Sequence, residues 1–192
     1  MCQGEERRRR CLRRRRAAII ICIDVGNSNI KYAVYDGGER KISFRVSTDL
    51  KRTSDEYGAQ LAEMLNFNSI AAEDITGGIF SSVVPSLDYT IEHMLRVYLH
   101  IIPKQIAPGL KTGLRMRADN AHEVGADRIV NNVAAIRKYG CGKPMIVVDF
   151  GTATTFDYVD ENGVFSYGVI ALGVESGANA LWSQTAQLPE VE

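Results

Sequence analysis

The chain has 192 residues, enough for one large domain or two small ones, and 45% of them are hydrophobic, enough for a substantial core. No apolar run is long enough to cross a bilayer as a helix, so no membrane partner is expected. The formal net charge is zero, but eight of the 23 basic residues are arginines at 7–10 and 13–16, which leaves 15 basic against 21 acidic residues beyond that arm and its two glutamates. A body that acidic is not a general nucleic-acid binder, and any such binding would have to come from the arm.

Cys2, Cys11, Cys22 and Cys141 form no CxxC pair, and His93, His100 and His122 form no HExxH. The pattern predicts neither a disulfide framework nor a zinc site, and it fits a reducing, cytoplasmic setting. Residues 1–16 read as a self-repelling, disordered arm, either functional or the product of an upstream start. The apolar stretch after it is short, lacks a small-residue cleavage site and ends at once in Asp24, which argues for a buried strand over a signal peptide.

In chain order, residues 17–23 are continuous and β-branched, as in a strand buried on both faces. Residues 30–35 alternate, and Asp36-Gly37-Gly38 is a turn signal before a third strand over 40–46. Residues 55–66 read as a helix, 75–85 as a strand closing on Pro85, and 86–99 as an amphipathic helix with Leu87, Ile91, Met94, Leu95 and Tyr98 as its stripe. Residues 103–122 are punctuated by Pro103, Pro108, Gly109 and Gly113 and read as irregular. A helix follows from about 123 to 139, ended by Gly140. Residues 144–150 read as another buried strand, 154–159 and 165–171 as strands around the turn at 160–163, and a last helix begins near Glu175.

The chain repeats itself. AIIICIDVGNSNIKYAVYDGG lies against KPMIVVDFGTATTFDYVDENG at an offset of 125 residues, so that Asp24 matches Asp149 and Gly26 matches Gly151. Each copy is a strand, an Asp-x-Gly turn with small polar residues, and a second strand. Glycine lets the backbone turn tightly and come close to a ligand. The following N–H groups and Ser, Thr or Asn side chains can donate to phosphate oxygens, and a carboxylate at the strand end can hold a hydrated cation beside them. Two such turns are suited to clamping a polyphosphate. Other nucleotide motifs are missing: GCGKP at 140–144 lacks the first glycine and the Ser or Thr of a P-loop, and the DFG at 149–151 is followed by a strand.

These turns resemble those of the actin/hexokinase/Hsp70-like ATPase superfamily. The segments DVGNSNIKYAVYDG, SSVVP, PGLKTGL, EVGADRIVNNVAA, DFGTATTFD and TAQLP, in that order, resemble type III pantothenate kinase, a family that includes Bvg accessory factor-like proteins, over residues 18–192. The resemblance implies an α/β fold of duplicated ribonuclease H-like half-domains, here 17–120 and 121–192, the second incomplete. It implies ATP-dependent phosphorylation of pantothenate to 4'-phosphopantothenate by a cytoplasmic homodimer, with Mg2+ and a monovalent cation such as K+ or NH4+. Carried over residue by residue, Asp24, Gly26, Asn27, Ser28, Asn29 and Lys31 would line the ATP phosphates, and Thr152 would contact ATP. Asp127 would be the general base, with Gly125, Ala126, Arg128 and Thr185 at pantothenate, and Asp149 would bind the monovalent cation. Phosphoryl transfer to a primary alcohol needs positioning, charge neutralisation and a base within reach, and Arg128 suits a carboxylate or an amide carbonyl of the substrate.

Three positions depart from the family pattern. Ala118 stands where an aromatic helps cover pantothenate, Tyr167 replaces a glycine in a turn near the adenosine, and Leu172 replaces a proline. Family members also continue past TAQLP, so a chain ending at Glu192 would expose a sheet edge and apolar surface and lose stability and activity. The alternative to an enzyme is a non-catalytic accessory factor-like regulator, or an inactive fragment, with the arginine arm as its contact to nucleic acid or an acidic partner.

Overall fold

Three strands open the fold: β1 (Ile19–Val25), β2 (Asn29–Asp36) and β3 (Glu39–Ser47), paired antiparallel in sequence order. The structure is a computed structural model that describes residues 18–107, 110–117 and 124–185. The arginine arm, the stretch 118–121 with Ala118, and TAQLP beyond Thr185 lie outside the described residues. Ile21, Ile23 and Val25 stand opposite Val34, Tyr32 and Ile30, and all six are buried on one face. Ile20 on the other face is exposed, so β1 is buried on one side where its continuous apolar sequence predicts two. Gly37 and Gly38 both have positive φ, 59° and 95°, the conformation a two-residue hairpin turn demands and glycine supplies without strain.

Helix α1 (Ser54–Phe67) begins with a capping box: Thr53 and Glu56 satisfy each other's backbone N–H groups. Strand β4 (Ile75–Ser82) lies beside β1. Pro85 opens helix α2 (Pro85–Leu99) at its first position, where its missing N–H and fixed φ cost nothing, so the strand ends before the proline. His100 ends this helix in the left-handed region. Tyr57, Leu61 and Leu65 of α1 and Leu87, Ile91, Met94, Leu95 and Leu99 of α2 complete the core of this first unit. Gly58 makes room for the Tyr98 ring, where an added Cβ would come closer than 3.0 Å. The sheet order is β3-β2-β1-β4-β5, with β5 at Lys104–Ile106. The unit comprises residues up to 80 together with 84–105.

The second unit, residues 81–83 and 106 onward, holds a four-stranded sheet in the order β6-β9-β8-β7. Its strands are β6 (Arg115–Met116), β7 (Met145–Phe150), β8 (Ala153–Val159) and β9 (Val164–Leu172), and its helices are α3 (Ala126–Tyr139) and α4 (Val174–Gln184). The stretch read as irregular therefore contributes β5 and β6, strands of three and two residues. Gly140 ends α3 with φ 79°, as its position predicts. One sheet face carries Asp149, Thr155 and Asp157 and receives α3 through side-chain hydrogen bonds. The opposite face presents Ile146 (66% exposed), Val148, Phe150 (73%), Phe156, Tyr167 and Val169 (60%). Residues 145–150 thus alternate between faces, and the expectation of a strand buried on both sides is corrected. No helix among the described residues is long and apolar enough to cross a membrane.

Candidate active site

Asp24 is the penultimate residue of β1 and stands opposite Lys31 of β2, with Nζ 3.4 Å from Oδ2. Both side chains are substantially exposed, so this pair contributes little to stability and both groups lie open to solvent. The Gly26 N–H donates to the Asn29 carbonyl (3.0 Å), which closes the turn over Asn27 and Ser28. Thr48, just past β3, braces it twice. Its hydroxyl donates to the Gly26 carbonyl (2.6 Å) and its N–H to the Ser28 carbonyl (3.0 Å). The next residue is anchored in turn: the Tyr57 hydroxyl accepts from the Asp49 N–H (2.9 Å) and donates to the Asp49 carbonyl (3.0 Å). Thr48 and Tyr57 escaped the sequence reading. No sequence signal marks Thr48; it reaches the turn because β3, paired in register, returns Ser47 opposite Asn29.

Asp149 occupies the same place in β7, and its Oδ2 accepts from Asn131 Nδ2 of α3 (2.9 Å). The Gly151 N–H donates to the Ala153 carbonyl (3.0 Å). The turn is one residue shorter than its counterpart, since Val25 pairs with Ile30 but Phe150 with Thr154. The ungapped repeat offset of 125 therefore slips by one beyond the turn, and Lys31 corresponds in register to Thr155. The start of α4 is fastened to this second turn. The Gly173 N–H and the Ser176 hydroxyl both donate to the Thr152 carbonyl (3.1 and 3.3 Å). A Cβ on Gly173 would fall closer than 3.0 Å to the Gly151 and Thr152 carbonyl oxygens, so only glycine permits this approach. No side chain caps α4, which leaves its first N–H groups suited to an anion.

The third element is the start of α3. Gly125 is its N-cap, and Ala126 and Asp127 begin its first turn. Asp127 Oδ1 accepts from the Arg128 N–H (2.8 Å), at a helix end whose dipole favours negative charge. A Cβ on Gly125 would crowd that same oxygen. Arg128 runs inward: its Nε donates to Asp157 Oδ1 of β8 (2.9 Å), Nη2 contacts the same oxygen, and its carbon Cζ lies 5.5 Å from the Phe165 ring centre. Asn132, one turn on, donates to Asp157 Oδ2 (2.8 Å) and to the Arg128 carbonyl (2.9 Å). Asp157 and Asn132 escaped the sequence reading, although Asp157 falls between buried Thr155 and Val159 in strand alternation, a carboxylate on an inward face.

Thr185 ends α4, and its hydroxyl donates to the Leu181 carbonyl (2.8 Å). Among the described residues no three His, Cys, Asp or Glu side chains gather into a metal cage. Single carboxylates at strand ends fit Mg2+, which keeps most of its water and binds through one or two carboxylates and substrate phosphates.

The model of the family described as type III pantothenate kinase matches residues 20–192. The chain belongs to this family. It is 47% identical to the type III pantothenate kinase of Agathobacter rectalis over 174 residues, covering 91% of this chain and 66% of that protein, so it spans just under two thirds of that relative's length. Among solved structures it resembles the type II variant of the Aquifex aeolicus Ppx/GppA phosphatase (TM-score 0.52, 10% identity, 92% of this chain and 58% of that one). It also resembles a reductive activator for a corrinoid, iron-sulfur protein (TM-score 0.52, 9% identity, 81% and 30%). These likenesses bear on the fold alone, the actin-like ATPase fold that the resemblance of the two turns implies. Against the pantothenate kinase pattern, Tyr167 proves to sit within β9 rather than in a turn. It stands opposite Tyr158, and the rings stack at 4.9 Å, a cross-strand aromatic pair beside the bulge at Tyr158 and Val159. Leu172 closes β9 opposite Ala153.

Proposed function

We propose that this chain transfers the γ-phosphoryl group of ATP to the primary alcohol of pantothenate, giving 4'-phosphopantothenate and ADP, the first step towards coenzyme A. Family membership supports the reaction, and the observation that carries it is the Asp127 carboxylate held at the start of α3 by the Arg128 N–H. In this reading Asp127 takes the alcohol proton, and the alcohol oxygen attacks the γ-phosphorus as the bond to the ADP oxygen breaks. The turn at 26–29 with Lys31 and the turn at 151–153 with Thr152 donate to phosphate oxygens. Asp24 is the carboxylate for Mg2+, and Asp149, steadied by Asn131, is the one for K+ or NH4+. When bound, these cations neutralise phosphate charge. Gly125, Ala126, Arg128 and Thr185 hold pantothenate, and the working form is a cytoplasmic homodimer.

ADP release in ATP, Mg2+, K+ and pantothenate tests this. Release should depend on pantothenate, and Asp127→Asn should lower it by about 100- to 10,000-fold, the usual contribution of a general base. Release that ignores pantothenate, or survives in Asp127→Asn, overturns the assignment. A folded protein with no release at all favours the non-catalytic regulator.

A further inference from the structure

Arg128 was expected to face the substrate, yet the structure commits much of it elsewhere. Its side chain is only 12% exposed and that of Asp157 only 2%. Nε and Nη2 are both taken by one oxygen of Asp157, and the other oxygen is taken by Asn132. Asn132 also ties Asp157 to the Arg128 carbonyl, so one carboxylate on β8 holds both the guanidinium and the backbone of the first turn of α3. The sheet is shaped for this contact. At Gly168 of β9, opposite Asp157, an added Cβ would run into both Arg128 Nη2 and Asp157 Oδ1. Phe165 supplies an aromatic face beneath the guanidinium.

A buried carboxylate carries a large desolvation cost, and stability alone does not explain one, since apolar replacements of buried pairs are often as stable. What such a pair supplies is orientation. With Nε and Nη2 tied down, the guanidinium plane is set and Nη1 is the nitrogen Asp157 leaves over. We propose that Asp157, with Asn132 and Gly168, is a positioning residue for the phosphoryl acceptor. It aims Arg128 at pantothenate and fixes the turn that presents Asp127. This rests on the kinase reading above.

The test uses the full chain with Asp157→Asn, which keeps shape and removes charge, and Gly168→Ala, which keeps every charge and removes the space. Both should raise KM for pantothenate at least about tenfold, the effect expected when a charge-assisted hydrogen bond is misdirected. KM for ATP should stay within about twofold, since the phosphate turns are untouched. A second readout needs no turnover: in 15N-labelled protein the Arg128 Nε–H resonance, assigned by its loss in Arg128→Lys, should be protected from exchange in the wild type and exposed in Asp157→Asn. An unchanged or lower pantothenate KM, or equal rises in both KM values, overturns the proposal. So does a wild-type Arg128 Nε–H that exchanges freely, even if neither variant folds. An inactive wild type with a protected resonance lost in Asp157→Asn refutes the kinase reading while leaving the orienting contact in place.

Discussion

Replacing Gly173 with alanine separates backbone approach from helix propensity. The Gly173 backbone, at φ −64° and ψ 157°, is one any residue adopts, so no dihedral strain arises. The obstacle is the pair of carbonyl oxygens of Gly151 and Thr152, both closer than 3.0 Å to the new Cβ and both backbone atoms unable to rotate aside. Relief requires α4 to lift from the turn, at an overpacking cost of about 1–3 kcal/mol. Lifting also weakens the 3.1 Å hydrogen bond from the Gly173 N–H to the Thr152 carbonyl, about 1 kcal/mol. The stiffer unfolded chain returns about 0.4–1 kcal/mol. The net destabilisation is about 2 kcal/mol, and at a urea m-value of about 2 kcal/mol/M the midpoint falls by about 1 M. Gly177→Ala is the control. It lies within α4, its added Cβ meets only Leu172 Cβ at 3.9 Å, and helix propensity favours it by up to about 1 kcal/mol. On the proposed assignment of this turn to ATP phosphate, its displacement should also raise KM for ATP about tenfold, because phosphate donors tolerate little misplacement. Urea denaturation and ADP release measure the two effects. A Gly173→Ala midpoint at or above that of wild type, with KM for ATP unchanged, would refute the claim that this glycine brings helix and turn together.

Thr48→Val keeps shape and removes the hydroxyl bond to the Gly26 carbonyl. It should cost about 1 kcal/mol and raise KM for ATP while leaving KM for pantothenate alone, which steady-state kinetics would show. Tyr57→Phe deprives both backbone groups of Asp49 of their partner on a buried ring and should cost about 1–3 kcal/mol by urea denaturation. The Val164 and Asn162 N–H groups hold the Asp160 carboxyl below the ordinary carboxylate range of about 3.9. Its contribution is therefore present above the unfolded value and lost as pH falls through the lower folded value. Urea midpoints of wild type and Asp160→Asn should differ at pH 7 and converge in acid, and a gap that widens in acid would contradict this.

What the sequence determined by itself was local. Among the described residues, local pattern located the four α-helices and the longer strands but not the single helical turn at Ala72–Asp74; Asp36-Gly37-Gly38 announced its turn, and Gly140 announced the end of α3, because these choices depend on neighbours within a few residues. The Asp-x-Gly repeat was legible for the same reason. The one-residue difference between its turns was not, since strand register depends on the partner strand. Strands β5 and β6 are too short to carry a pattern and exist only through pairing. The one-sided burial of β7 depends on which face α3 covers, and a run of apolar residues reads the same either way. The site divides along the same line. The candidate residues Asp24, Gly26, Lys31, Asp127, Arg128 and Asp149 stood out by motif. Those that brace them, Thr48 at 22 residues from Gly26 and Asp157 at 29 from Arg128, are ordinary letters until the fold closes. Tertiary structure alone decided that Arg128 is held by a carboxylate on a strand, because a buried charge must find its partner wherever packing places one.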